Sequence, residues 1–162
     1  MDANSSHSFG GPYRSNGMTA QMVNQSTTGR GILGVVVGFV GMVAATIGLD
    51  ALFHATGVYP DWRLPMESYQ WGLALVYRVL FGVGGGYVAS RVARGCSFRA
   101  SLFVGLLSAL LSACVVAMHW NMGPEFGPRW FNLLWLGTTI PSAMVGGRLA
   151  ASRARSRANG PA

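Results

Sequence analysis

Two charged residues of opposite sign lie inside stretches of the sequence that are otherwise apolar. Asp50 lies near the end of the apolar run that starts at Gly31, and Arg78 lies within the run that starts at Trp71. A lone charge inside a bilayer costs several kcal/mol, so it usually has a charged partner or faces a wet cavity. We therefore predict that Asp50 and Arg78 face each other, with Tyr77 nearby.

Two histidines extend this polar group. His54 follows Asp50 by four residues, which places both on one helix face, and His119 ends the third apolar run. We expect both histidines to line an outward-facing polar pocket with Asp50, Arg78 and Tyr77. Three further charged residues are expected to line it as well: Glu67, Glu125 and Arg129. Such a pocket suits an ion, a proton or a small solute, whereas the alternative is a structural ion pair that fixes the pairing of two helices.

We expect no catalytic site, no metal and no cofactor. Two histidines do not form a zinc site on their own, and no acid or cysteine stands at ligand spacing beside them. Cys96 and Cys114 are predicted to be free thiols in a reducing compartment. The sequence has no phosphate-binding loop and no motif of a serine hydrolase or a zinc protease, so we predict that the chain is not an enzyme.

Small residues at helical spacing form a second candidate set. They recur three or four positions apart in the second and fourth apolar runs, and the predicted helix-packing residues are Gly82, Gly86, Ser90, Gly146 and Gly147. Lipid gives helices no hydrophobic reason to associate, so close backbone contact must supply the attraction. We interpret these residues as structural packing positions, and the alternatives are a self-dimer face or a thin channel wall.

The elements that carry these residues are predicted to be membrane helices. Of the 162 residues, 51% are hydrophobic and 10% are charged, whereas a soluble domain carries about 25% charged residues. A spanning helix needs about 20 mostly apolar residues, and four runs meet this length: about 31–53, 71–92, 100–118 and 130–150. We predict an all-α fold, an integral membrane four-helix antiparallel bundle over residues 29–151.

The arginines predict the orientation of these helices. The chain contains twelve basic residues, all of them Arg. Nine lie on the side of the two termini and of the turn between the second and third spans, and two lie on the other side. Because cytoplasmic segments near the spans collect Arg, both termini are predicted to be cytoplasmic, with residues 1–28 a flexible polar tail and 152–162 a basic tail. The net charge of +7 is thus explained by topology and by the lipid bilayer as a partner, without nucleic acid.

The two halves of the chain resemble each other over a short stretch. GGYVASRVAR at 85–94 and GGRLAASRAR at 146–155 match at five of ten positions. Two repeated helical hairpins would explain the match, and the alternative is the bias shared by any span that ends in small residues and a basic stop.

The stretches YRVLFGVGGGYVASRVAR at 77–94 and PSAMVGGRLA at 141–150 resemble a group of uncharacterised four-span bacterial inner-membrane proteins. The resemblance covers about residues 31–151. It implies a location in the bacterial cytoplasmic membrane and no activity, and Ser101 stands where related sequences often have a histidine. We expect a non-catalytic accessory or assembly protein that works as a homo-oligomer or with a membrane-complex partner. The alternative is a small oligomeric transporter or channel that uses the pocket around Asp50 and Arg78.

Overall fold

The computed structural model describes residues 16–61, 64–93, 97–123 and 126–158. These residues form helices and connecting turns, without a strand among them. The four helices are α1 (Asn16–Ala55), α2 (Ser68–Val92), α3 (Ser97–His119) and α4 (Arg129–Ala158). The all-α class predicted from the sequence is confirmed.

Three helical segments are long and apolar enough to cross a membrane: Gly29–Ala55, Ser68–Val92 and Phe98–His119. They correspond to the first three predicted spans, and they indicate a membrane protein. Among the described residues, the fourth predicted span, 130–150, does not reach the same hydropathy. Its helix interleaves apolar residues with Asn132, Thr138, Thr139 and Ser142, which lower the mean hydropathy.

Two helices extend into the predicted tails. α1 begins at Asn16, so residues 16–28 are helical where the sequence analysis expects a flexible tail, and residues 1–15 lie outside the described part of the chain. α4 continues to Ala158, well into the predicted basic tail 152–162. Adding a residue to a formed helix is far easier than nucleating one. Alanine and arginine also favour helix, and arginines near a helix C-terminus interact well with its dipole.

α2 is the central helix of the fold. It packs against all three other helices, and α4 packs against α2 and α3, whereas α1 and α4 hardly touch each other. Only 11% of the apolar window of α1 is buried. α1 is therefore held mainly by α2, and the described residues leave most of its apolar surface uncovered.

Glycines bring α1 and α2 into close backbone contact. A Cβ on Gly38 would lie 2.5 Å from the carbonyl oxygen of Gly85, and a Cβ on Gly34 would lie 2.6 Å from that of Ala89. Met42 continues this contact, since its side chain lies against Gly85. The contacts of α1 thus follow a row of positions four residues apart, which is the geometry of small-xxx-small helix pairs.

The five predicted packing residues all lie in buried helix contacts. Gly86 faces the backbone of Ala143 in α4, and Gly146 faces the Val83 carbonyl of α2. The other three contacts are Gly82 with Ser142, and Gly147 with Ser101 and Ser90. The repeat of two hairpins stays a prediction. Its equivalent helices, α2 and α4, contact each other at Gly82, Gly86 and Gly146.

We predict that Gly86→Ala destabilises the fold and that the nearby Gly84→Ala does not. A Cβ at Gly86 would collide with the backbone of Ala143, whereas a Cβ at Gly84 meets nothing within 4 Å. Overpacking of this kind costs about 1–3 kcal/mol, while alanine in place of an exposed helical glycine stabilises by up to about 1 kcal/mol. Unfolding in SDS followed by circular dichroism measures both. Equal stability of the two variants would contradict the close contact of Gly86 with the backbone of α4.

Candidate functional site

The structure brings Asp50 and Arg78 together across the α1–α2 contact. The Arg78 Nη2 donates to the Asp50 Oδ2 at 3.2 Å, and the two side chains are 19% and 22% exposed, respectively. Asp50 continues the row of α1 positions that starts at Gly34 and Gly38. The same helix pair is therefore joined by glycine contacts at one level and by an ion pair at another.

Tyr77 completes the coordination of the carboxylate. Its hydroxyl donates to the Asp50 Oδ1, so each carboxylate oxygen accepts a hydrogen bond. Tyr77 and Arg78 are neighbours in α2, and their side chains approach Asp50 from two sides. A buried charge is tolerated when it is paired and hydrogen-bonded, and this arrangement provides both.

Two aromatic rings of α4 lie against the Arg78 guanidinium. Its Cζ is 4.8 Å from the centroid of the Trp135 ring and 5.4 Å from that of Phe131. A guanidinium over an aromatic face gains about 0.5–2 kcal/mol, more where water is excluded. The sequence analysis did not identify these partners. One signal was present, since Phe131 and Trp135 stand four residues apart on one helix face.

The α1–α2 connection folds back onto this site. Tyr59 is 3% exposed and lies in a core cluster with Tyr77 and Phe131. The Gln70 side chain fixes the segment, since its Nε2 donates to the Val58 carbonyl at 2.7 Å. Burial raises the pKa of the Tyr59 phenol above its ordinary value, so this hydroxyl stays neutral. Tyr59 of the connection thus places a buried aromatic ring beside the ion pair.

All five predicted polar residues line one cavity of about 400 Å³: Asp50, His54, Tyr77, Arg78 and His119. This outer cavity lies at the hairpin end of the fold, where the α1–α2 connection (56–67) and the α3–α4 connection (120–128) lie. The lining does not include Glu67 or Arg129. Glu67 is the N-cap of α2, where its backbone N–H donates to the Gln70 Oε1, and Arg129 lies over the Trp120 ring. Glu125 lies outside the described residues.

Each of the two histidines forms a hydrogen bond with a backbone carbonyl through one ring nitrogen. The Nδ1 of His54 lies 2.7 Å from the Pro60 carbonyl oxygen, and the Nδ1 of His119 lies 2.8 Å from that of Val115. A carbonyl only accepts hydrogen bonds, so Nδ1 carries the proton in both rings. The described residues contain no group of three or more side chains arranged to hold a metal ion.

A second cavity, of about 250 Å³, lies deeper between the helices. All four helices contribute to its lining, and we call it the central cavity. Asp50, Arg78 and Trp135 line both cavities. The ion pair and the indole ring therefore form the wall that separates the central cavity from the outer one.

We predict that charge reversal at both members of the ion pair rescues the two single reversals. Asp50→Arg and Arg78→Asp each place like charges side by side, and breaking a largely buried pair costs up to about 3–5 kcal/mol. The double variant restores opposite charges and recovers part of this loss, since a carboxylate cannot stack on Trp135. SDS unfolding measures all three variants. A double variant no more stable than either single one would exclude a stabilising pair.

Comparisons of the chain with protein-family models, with curated proteins and with solved structures found no match. The resemblance to four-span bacterial membrane proteins stays a prediction that rests on the residues at 77–94 and 141–150. The feature of this chain that bears on function is therefore its own geometry, an ion pair that is covered by aromatic rings and lines two cavities.

Proposed function

We propose that the chain is an integral protein of the bacterial cytoplasmic membrane, a four-helix antiparallel bundle with both termini in the cytoplasm. The arginine distribution supports this orientation, since Arg30, Arg91, Arg99 and Arg148 lie at the end of the helices opposite the hairpin end.

We include α4 as the fourth span because of how its polar residues are arranged. Asn132 and Ser142 are 8% and 6% exposed, so they face the other helices. Between residues 130 and 147 the exposed side of α4 is apolar and includes Leu133, Leu134 and Val145. A helix in a bundle needs an apolar surface only where it meets lipid, so the lower mean hydropathy of α4 is compatible with a span.

Reporter fusions test this topology. Alkaline phosphatase, which is active only outside the cytoplasm, should be active when fused after Asp61 or Asn121 and inactive when fused after Ser97 or Arg155. The pair Asn121 and Arg155 brackets α4. Equal phosphatase activity at these two positions would show that α4 does not cross, and an active fusion after Ser97 would reverse the orientation.

We further propose that the protein is a non-catalytic accessory or assembly subunit that packs against another membrane helix through α1. The supporting observation is a second row of small residues on α1: Gly41, Ala45 and Gly48 are all exposed. A Cβ on Gly41 or Gly48 would meet nothing within 4 Å, whereas Gly34 and Gly38 are filled by α2. Small residues permit close helix approach, and nothing in the described chain uses this face. The partner is a second copy of the chain or a different subunit.

Purification in mild detergent followed by native mass spectrometry tests the subunit proposal. The wild-type chain is expected to carry a partner in fixed stoichiometry. Gly41→Leu should release the partner without unfolding the chain, because the added side chain blocks the close approach and meets nothing inside the fold. Val40→Leu, a change at a residue 57% exposed on another face of α1, is the matched control. A monomeric wild-type chain, or equal partner retention by both variants, would contradict the proposal.

A small transporter or channel is the second candidate function. Its supporting observation is the contact of the two cavities at Asp50, Arg78 and Trp135. An ion pair that separates two cavities can act as a gate, since its two charges are tolerated both when paired and when solvated. Four helices enclose little volume, so transport by this chain would use an oligomer.

A further inference from the structure

The central cavity lies where the helices leave a gap. α1 and α4 hardly touch each other, and the cavity occupies the space between Phe39 and Met42 of α1 and Thr139 and Ser142 of α4. Its volume of about 250 Å³ is several times the ~30 Å³ of one water molecule in the liquid. The space therefore accommodates a small solute.

Its lining is rich in hydroxyl groups that present acceptor atoms. Thr46 donates to the Met42 carbonyl at 2.9 Å, and Thr139 donates to the Trp135 carbonyl at 2.7 Å. Ser142 likewise donates within α4, to the Thr139 carbonyl at 2.9 Å. A hydroxyl whose proton is used in this way keeps its oxygen lone pairs. These side chains can accept hydrogen bonds from a molecule in the cavity.

Two further polar groups of lining residues have no hydrogen-bond partner among the described residues. Ser108 is 4% exposed and lines the cavity, and its hydroxyl has no hydrogen-bond partner among the described residues. The Nε of Arg78 is also buried without a partner in the described chain, although its Nη2 binds Asp50. A buried polar group without a partner is unfavourable because its desolvation is not compensated. A ligand that accepts hydrogen bonds would remove this cost.

The lining carries no net charge, so an ion is not the preferred ligand. Among the described residues, Asp50 and Arg78 are the only charged ones that line it, and each neutralises the other. An ion would enter without a free counter-charge, and such desolvation is strongly unfavourable. A neutral molecule that both donates and accepts hydrogen bonds matches the donors and acceptors without disturbing the pair.

We propose that the central cavity is a binding site for small neutral polar solutes, of the urea or glycerol class, reached from the outer cavity past the Asp50–Arg78 pair. The Trp135 ring and Phe39 supply apolar contacts for the carbon atoms of the solute. Such a site specifies the substrate class of the transport candidate, and it stands whether or not the bound solute crosses the membrane.

Cysteine accessibility tests the site in the full-length chain reconstituted in liposomes, with Cys96 and Cys114 replaced by alanine. Ser108→Cys places a near-isosteric thiol in the cavity, and Leu110→Cys places one on the same helix at a residue 63% exposed outside it. The probe is a neutral, hydroxyethyl methanethiosulfonate reagent. A thiol reacts as the thiolate, and an apolar lipid environment disfavours ionisation of the thiol. We therefore expect Ser108→Cys to react at least about tenfold faster than Leu110→Cys.

Two further arms define the ligand class. An anionic methanethiosulfonate of similar size should react with Ser108→Cys about tenfold more slowly than the neutral reagent, because the cavity offers no free positive charge. Glycerol or urea should slow the neutral reagent at Ser108→Cys and leave Leu110→Cys unchanged.

Ser112→Cys, one turn along α3 and 3% exposed as the native serine, serves as a second position if Ser108→Cys does not fold. Equal rates at the cavity and lipid-facing positions, equal rates for the two reagents, or no protection by either solute would each overturn the proposal. Solute flux through the same liposomes is measured separately, so that failure of transport is distinguished from failure of binding.

Discussion

The Asp50–Arg78 ion pair is the constraint on which the arrangement of α1 depends. An apolar helix in lipid can rotate and slide against its neighbour at little cost, but a charge inside it must meet a partner or a wet cavity. The pair fixes α1 at the hairpin end, and the Gly34 and Gly38 contacts fix it toward the other end of its apolar segment, Gly29–Ala55. Sixteen residues separate Gly34 from Asp50, which is about 24 Å of helix. Two contacts this far apart determine the tilt and rotation of α1.

The same pair organises α4 through the aromatic rings that lie against Arg78. The guanidinium binds a carboxylate of α1 at one edge and lies over Trp135 and Phe131 of α4. α1 and α4 hardly touch, so Arg78 of α2 provides the link between them. The gap that remains between these two helices is the central cavity, which explains why the ion pair lies in its wall.

Part of this arrangement could be predicted from the sequence, because it follows from local costs. The cost of a charge in an apolar helix pointed to Asp50 and Arg78, and the need for close backbone approach pointed to Gly86 and Gly146. Trp135 and the Ser108 hydroxyl could not be predicted in the same way. Their roles depend on which face of α3 and α4 turns inward, and that is decided by packing between residues distant in sequence. The helix ends depend on propagation from a packed core, which the polar sequence around Asn16 does not reveal.

An ion pair that served only to fix the pairing of two helices would not need the polar surroundings that this one has. Asp50 already receives hydrogen bonds from Tyr77 and Arg78, and Arg78 is already covered by aromatic rings. Apolar side chains in place of Ser108 and Ser112 would fill the space beside the pair and remove an unpartnered hydroxyl. Replacement of buried polar groups by well-packed apolar ones often stabilises a protein. The cavity and its hydroxyl lining therefore lower the stability of the fold. A ligand in the cavity, as proposed above, would provide a compensating interaction, and a purely structural pair would not need one.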